Sequence, residues 1–525
     1  VTHDAARQPG GVTTRPDLAT TVIATITAAV LCGLYLIAPH MGGDLSAQIA
    51  RADFARAHAT AVIDFRWFGG TLPFGYSLWT PAVMAVVGVR ITGAIATVVT
   101  VGFFTAALHR VGARHPRWGG LAAAVTLTSN LVEGRVTFAC SLAFALAAVW
   151  LLAGAAPHRL IAAGLCVLGG AASPVGALFL LVGAGALLLM KRWRDALALA
   201  ASFLPVLVIS VVFGDGGRQI FSGNDAIRAA VATALVIALV PKRFRLLQVG
   251  AAIGLVMVIA AVVVPTPVGS NSARLSLLFA VPVVAAFVDL RRWLAAGVIL
   301  LVIVVQTPIT FGTLTGAGRA VTSSSYFAPL AAELEVRGAL TGRVEVPELT
   351  GHWDAAYLAQ FVPLARGWLR QTDIKLNNVV FYQHLPTAAS YRSFLDRSAV
   401  QYVAVADARP TFTGRRELTL IKTRLPYLRQ VWSSSHWRLY EVLDPMPIVS
   451  APASLVSYHP ARIVVQAPAD TDVTVRVRWF RWLTLDPAPA GSCLQRLNAQ
   501  TVRLHTAAAG QYVITSAPLS QSRRC

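Results

Sequence analysis

Apolar runs long enough, or nearly long enough, to cross a bilayer recur from residue 19 to residue 309, and short basic clusters punctuate them. Lipid offers no hydrogen bonds to the backbone, so continuous apolar runs of this kind have to form helices. They fall at 19–38, 83–108, 119–131, 138–154, 159–172, 174–190, 196–213, 227–241, 247–265, 275–289 and 293–309. That pattern predicts about eleven transmembrane helices, several of them short of the roughly 20 residues of a full span and therefore tilted or re-entrant.

The composition agrees. Of 525 residues, 55% are hydrophobic and only 13% charged. Soluble domains carry about 25% charged residues, and the mean hydropathy here is +0.61. The formal charge of +21 does not point to nucleic acid, because the basic residues are scattered between apolar runs and form no single patch. "HRVGARHPR" (109–117), "PHR" (157–159), "KRWRD" (191–195), "PKRFR" (241–245) and "DLRR" (289–292) fall on alternate breaks. The positive-inside rule puts these breaks and the N-terminus on the cytoplasmic face. An odd helix count then leaves the C-terminal region outside, in a multi-pass protein of the plasma membrane. On this topology Asp44, Asp53, Asp64, Glu133, Asp215 and Asp225 are all outer, whereas Asp195 and Asp289 are inner and lie beside Arg or Lys.

Beyond residue 310 the pattern changes. "YFAPLAAELEVRG" reads as a helix, "GRVEVPEL" as a strand, and "HWDAAYLAQFVPLARGWLRQTD" has apolar residues at helical spacing. "SYRSFLDRSAV" predicts a helix, "QYVAVAD" a strand, and "LPYLRQVWSSSHWRLYEVL" two more strands. The later runs "RIVVQAP", "DVTVRVRWF", "TVRLHT" and "GQYVITS" read as short strands separated by turns. The expected organisation is a cytoplasmic tail over 1–18 and a transmembrane body over 19–309 with an outer loop at 39–82. An extracytoplasmic α/β domain over 310–445 and an extracytoplasmic β-sandwich-like domain over 446–525 follow. Of five cysteines, Cys32, Cys140 and Cys166 lie in apolar runs; Cys493 and Cys525 lie in the polar part, as a disulfide or as two free thiols.

No phosphate loop of the G-x-x-x-x-G-K-[ST] type, no H-E-x-x-H, no C-x-x-C and no G-x-S-x-G is present, which disfavours ATP-driven transport and zinc hydrolysis. The chemistry-bearing candidates gather on the outer side. In "HMGGDLSAQIARADFARAH" (40–58), Asp44 follows two glycines at the membrane boundary. It reads either as the N-cap of the next helix or as a general base. That helix looks amphipathic and is expected to lie along the outer membrane surface, with Arg51 and Arg56 placed to meet phosphates, lipid headgroups or Asp53. The aromatic-rich stretch 64–81 suits a membrane-interface belt or sugar stacking, and within it Asp64 and Arg66 are spaced to pair. "EGR" places Glu133 and Arg135 in a tight outer turn. "GSNSARL" places Arg274, with Asn271 close before it, at the outer mouth of a helix. An arginine at that depth needs an anionic partner unless it snorkels, and a lipid-linked phosphate is one such partner.

"GGDLSAQ", "GYSLWTP", "EGRVTF", "ASPVGALFL" and "GSNSARL", together with the layout, resemble the GT-C glycosyltransferases, which include the actinobacterial arabinosyl- and mannosyltransferases of cell-wall and lipoglycan synthesis. The resemblance implies a polyprenyl-phosphate sugar donor and a glycan or glycolipid acceptor within a setting of membrane lipids. In that group an acid of the first outer loop is the general base, and Asp44 stands at that position. Many members have two adjacent acids there, whereas "GGDL" has one. Arg51, Glu133, Arg135, Asn271 and Arg274 are the expected substrate-binding residues. No cofactor is required; a divalent cation is admitted but not demanded. The alternative is a non-catalytic transporter, flippase or assembly scaffold of the cell envelope.

Overall fold

The computed structural model describes residues 18–517 apart from 290, 306–310, 339 and 488. The tail before residue 18 lies outside them, and so does Cys525, so the expected Cys493–Cys525 disulfide falls outside the described residues. Cys32, Cys140 and Cys166 are buried free thiols.

The first half is helical: α1 (Leu18–Ile37), α2 (Leu45–Ala57), α3 (Thr80–Val87), α4 (Val89–Arg110), α5 (Pro116–Val132), α6 (Val136–Leu152) and α7 (Arg159–Ala172). Then come α8 (Pro174–Leu189), α9 (Trp193–Ala200), α10 (Phe203–Val212), α11 (Gly223–Leu239), α12 (Arg245–Val263), α13 (Arg274–Phe287) and α14 (Arg292–Val305). Among the described residues each apolar run named above coincides for most of its length with helix, but the count of eleven spans is not established. Among the described residues five segments are long and apolar enough to cross a membrane: Leu18–Ile37, Val89–Arg110, Trp193–Val212, Lys242–Val263 and Gly269–Phe287. Four apolar helices are shorter: Val136–Leu152, Arg159–Ala172, Pro174–Leu189 and Trp293–Val305. The expected 83–108 run breaks at Gly88, whose φ of +97° is outside the helical region, so α3 and α4 are separate.

Large apolar side chains on the rim are bare. On α12, Val256, Ile259 and Val263 are 65%, 54% and 74% exposed, a surface suited to lipid and costly in water. Inside, small residues bring helices together: Gly119 of α5 abuts Ala286 and Pro282 of α13, and Gly120 abuts Ala24 of α1.

The basic breaks meet at one end of this body. Arg114 pairs with Asp289, Arg159 and Arg192 both hold Asp195 at 2.7 Å, and Arg110 donates to the Trp150 carbonyl. The opposite end carries Asp44 and is covered by the C-terminal half. There α15 (Phe311–Thr315) and α16 (Ala328–Val336) lead into β1 (Arg343–Glu345). Next come α17 (Asp354–Tyr357), α18 (Arg370–Asn377), α19 (Ala388–Arg397), β2 (Val400–Ala406), α20 (Phe412–Ile421), β3 (Leu428–Ser433) and β4 (Trp437–Val442). The sheet order is β1-β2-β4-β3, parallel between β1 and β2 and antiparallel elsewhere. The helical spacing over 352–373 gives two short helices with a loop between them, and α20 lacked an expectation.

The remaining strands are β5 (Ser454–His459), β6 (Arg462–Ala467), β7 (Thr471–Val475), β8 (Leu483–Leu485), β9 (Cys493–Arg496), β10 (Val502–Thr506) and β11 (Gly510–Ser516). They form two sheets, β7-β10-β9 and β5-β6-β11-β8, with Ile463, Val465, Val473, Leu504, Tyr512 and Ile514 fully buried in one cluster. Alternate inward residues of both sheets make that core, as in a sandwich.

The loop between α2 and α3 joins these parts. Phe65 N–H donates to the Pro460 carbonyl and the Tyr458 hydroxyl donates to the Phe65 carbonyl. Trp67 bridges Leu364 and donates from its indole to Ala355. Phe65 and Trp67 are 0% and 2% exposed, and burying a phenylalanine alone is worth about 2–3 kcal/mol. Asp64 and Arg66 pair as expected, bidentately and buried, at 2.7 Å.

Candidate functional site

Two glycine turns fix Asp44. Gly42, at φ +99°, lies so close to the Val132 and Glu133 backbone that a Cβ would collide with it. Gly134, at φ +80°, is equally tight against the backbone of Leu45. The "GGD" and "EGR" motifs therefore interlock, and the Asp44 N–H donates to the Glu133 carbonyl at 3.0 Å. Only glycine fits such an approach at positive φ. From above, the Trp368 indole donates to the Gly43 carbonyl at 2.9 Å.

Asp44 occupies the N-cap position of α2, but its side chain makes no capping bond. Its carboxylate instead faces Arg135 Nε at 3.3 Å and Arg274 Nη2 at 3.5 Å. The side chains of Asp44, Arg135 and Arg274 are 23%, 21% and 12% exposed, so the centre is sheltered but open. Arg274, the first residue of α13, lies over Phe138. Arg51 joins from α2, buried, with its guanidinium between the Tyr76 ring at 4.6 Å and the Trp368 ring at 5.5 Å. Burial pushes the Arg51 guanidinium below its ordinary value, against the pull of Tyr76 and of the carboxylates of Asp44 and Asp64.

This centre is short of negative charge. Three guanidinium groups (Arg51, Arg135, Arg274) face one carboxylate, and Asp64, the next acid, is taken by Arg66. The Nη1 atoms of Arg51 and Arg274 are buried with no hydrogen-bond partner among the described residues. Leaving such donors unmade costs about 1–3 kcal/mol each, more when charged. Chemically, the arrangement has donors to spare for an anion rich in acceptor oxygens.

The other expected residues are placed less directly. Glu133 gives its carbonyl to Asp44, and its carboxylate accepts from the Thr313 hydroxyl at 2.9 Å, which ties it to the linking segment. Asn271 is buried in the turn Gly269–Ala273 that leads into Arg274. Arg56 donates to the Ala85 carbonyl and Asp53 accepts from Gln360. His40 stacks on Trp353 at 5.8 Å and meets the Tyr357 hydroxyl at 3.3 Å, which ties it to α17. The expectation of an amphipathic surface helix is corrected: Leu45, Ser46, Ala47, Gln48, Ala50, Arg51, Ala52 and Phe54 of α2 are buried. The covering C-terminal half accounts for this; Ser46, for example, donates to the Gly351 carbonyl at 2.6 Å. Tyr76 was visible only as one of many aromatics in 64–81, and Trp368 had no local signal at all.

A second charged cluster lies in the covering half. Arg366 contacts Glu345 at 2.6 Å, Glu417, and Asp373 at 3.7 Å. Tyr391 donates to Glu417 at 2.8 Å, while Tyr382 and Asn377 donate to Asp373 at 2.6 and 2.8 Å. Burial raises the Glu345 and Glu417 carboxyls, against the opposing pull of Arg366. Beside them burial raises Glu348 too, but His352, Arg370 and Arg366 outweigh it and bring that carboxyl down to about 2. Burial carries Asp354 up to about 7. Among the described residues no three His, Cys, Asp or Glu side chains gather to hold a metal ion.

An apolar groove of about 430 Å³ runs along α4 and α6, lined among others by Trp79, Ile95, Phe103, Phe144 and Trp150. Neither Asp44 nor the three arginines line it.

No family model matches the chain, and no curated protein matches it. Among solved structures it is similar to arabinofuranosyltransferase AftD from Mycobacteria, determined by single-particle cryo-EM. Identity there is 14%, 95% of this chain and 57% of that chain are covered, and the TM-score is 0.42. Two classes of a mutant of the same protein give 13% identity and TM-scores of 0.43 and 0.39. In those two, 96% and 95% of this chain and 60% of the other are covered. The chain thus spans less than two thirds of the length of the structures it matches.

Proposed function

We propose that the protein is a membrane glycosyltransferase that moves a sugar from a polyprenyl-phosphate donor to a glycan or glycolipid acceptor on the outer face of the membrane. The observation that carries this reading is the convergence of Arg135 and Arg274 on Asp44 beside the buried Arg51, with the Nη1 donors of Arg51 and Arg274 unpartnered among the described residues. A phosphodiester matches guanidinium forks, and the location at a helix-body end suits a ligand anchored in lipid. The sequence resemblance to GT-C enzymes agrees.

In this mechanism the donor phosphate takes the arginines, and that loosens their hold on Asp44. The freed carboxylate removes the proton from an acceptor hydroxyl. The acceptor oxygen then bonds to the anomeric carbon as its bond to the phosphate oxygen breaks. The polyprenyl phosphate leaves with the electron pair, stabilised by the same guanidinium groups, and the anomeric centre inverts. Arginines that bind more tightly as charge builds on the leaving phosphate lower the barrier. No step needs a nucleotide, and none is routed through a cation.

The test is a transfer assay in membranes with a labelled polyprenyl-phosphate sugar. Arg274→Gln and Arg51→Gln are predicted to lower kcat/KM for the donor by about 10- to 100-fold, the worth of one charged hydrogen bond, with little change in protein abundance. Unchanged donor kinetics in both variants would sink the phosphate assignment.

A further inference from the structure

The Asp44 centre has unmade acceptors as well as unmade donors. Gln48 lies one helical turn after Asp44 on α2, and its N–H donates to the Asp44 carbonyl at 3.4 Å. Arg51 follows three residues later, so Asp44, Gln48 and Arg51 share one stripe of the helix. Gln48 is 2% exposed, yet its Oε1 is buried with no hydrogen-bond partner among the described residues.

Asn130, in the last turn of α5, supplies a second such oxygen. The Arg135 N–H donates to the Asn130 carbonyl at 3.3 Å, and Asn130 Nδ2 donates to the Arg135 carbonyl at 3.4 Å, so Asn130 backs the turn that carries Arg135. One turn earlier on the same face of α5, the Thr126 hydroxyl donates to the Leu278 carbonyl of α13 at 2.8 Å. The end of the body that carries Asp44 is where α5 ends and α13 begins, so the two helices run antiparallel. One turn along each helix from the Thr126–Leu278 bond, toward that end, sets Asn130 level with Arg274. Asn130 is 1% exposed, and its Oδ1 has no partner among the described residues.

A bare anion does not satisfy both sets of atoms. The Nη1 donors of Arg51 and Arg274 match phosphate oxygens, but a phosphodiester has no proton to give to Gln48 Oε1 or Asn130 Oδ1. A cationic donor is disfavoured beside three guanidinium groups. A hydroxyl donates to either oxygen without adding charge, and because it also accepts, it suits an amide turned either way.

We propose that Gln48 and Asn130 bind hydroxyl groups of the donor sugar and so select which sugar is accepted. This rests on the donor-phosphate reading above and adds the other half of the ligand. A buried amide built to meet a hydroxyl rejects an analogue that lacks it, because the amide is then left unpaired.

Binding to the purified full chain in detergent tests it, read as dose-dependent shifts in thermal unfolding. The probes are phosphodiesters of equal charge: farnesyl methyl phosphate, and farnesyl phosphate esterified with mannose or with arabinose. In the wild type one sugar ester is expected to bind about 10- to 100-fold more tightly than the methyl ester, the worth of two hydrogen bonds. Gln48→Met and Asn130→Leu should each weaken the sugar ester about 3- to 10-fold and leave the methyl ester unchanged, while Arg274→Gln weakens both. Should the variants fail to fold, esters of sugars lacking one hydroxyl at a time repeat the test on the wild type, and at least one is expected to lose the same factor. Equal affinity for sugar and methyl esters, equal weakening of both in the variants, or no loss with any deoxy sugar overturns the proposal. No acceptor is needed, so failure of the transferase reading is distinct: it shows as sugar discrimination without transfer.

Discussion

Two charged clusters, one at the Asp44 end of the helical body and one in the covering half, use the same residue types to opposite ends. Around Arg366 the acids outnumber the cation: Glu345, Glu417 and Asp373 surround it, with Tyr391, Tyr382 and Asn377 donating to them. All are deeply buried or nearly so, and the excess negative charge is met by raised carboxyl affinities for protons. Around Asp44 the cations outnumber the acid, rings rather than carboxylates flank Arg51, and guanidinium donors are left over. The first, closed cluster surrounds its cation with acids, although Arg366 Nη1 and Glu345 Oε2 have no hydrogen-bond partner among the described residues. The second, open cluster leaves cations in excess of acid. The sign of the charge excess separates the two more sharply than burial or unmade donors do, since both clusters are buried and both have such atoms.

The largest expected effect attacks the closed cluster. Arg366→Met leaves three acids without their cation and is predicted to cost about 3–5 kcal/mol, read as a fall in the unfolding midpoint and as rapid proteolysis of the region after residue 340. A midpoint equal to the wild type would show that this cluster frames nothing. Next, Gly134→Ala strains a residue at φ +80° and presses a methyl on the Leu45 backbone. It should cost about 1–3 kcal/mol and, by shifting Asp44 from Arg135, lower transfer more than the stability loss explains. Transfer that falls only in step with folded protein would remove the positioning role.

A smaller effect sharpens the edge of the closed cluster. Asp354, at about 7 instead of its ordinary 3.8, keeps its proton in the folded chain where the unfolded chain has lost it. Its contribution is therefore intact below about pH 4 and is lost as the pH rises toward 7. Asp354→Asn should be near neutral below pH 4 and increasingly stabilising from pH 5 to pH 8, which flattens the decline measured by thermal unfolding. A variant equally or more pH-sensitive would contradict the burial assigned to this side chain.

The legible parts of the sequence were those set by local pattern. Apolar runs located the helices, and alternating residues located β2, β6, β7, β10 and β11. The motifs "GGD", "EGR" and "GSNSAR" named three of the four charged residues at the centre, and "ARADFAR" the fourth. What was not legible depends on distant chain segments. That α2 is covered follows from Gly351 and Trp368, some 300 residues away in sequence, and nothing in "LSAQIARADFARA" encodes it. The number of spans is not established, because hydropathy cannot tell a helix that crosses from one that only packs, as the 14 residues of α7 illustrate. Asp44 read as a cap because its spacing was right, but its side chain chose guanidinium partners that lie 91 and 230 positions later in the chain.

The central claim, that the open cluster is where chemistry happens, is tested most directly by Asp44→Asn. The assay is transfer from a labelled polyprenyl-phosphate sugar in membranes containing equal amounts of folded protein. The account predicts a loss of about 10²- to 10⁴-fold in turnover, the usual worth of a general base, with an unfolding midpoint close to that of the wild type. Full transfer activity in the variant would contradict it.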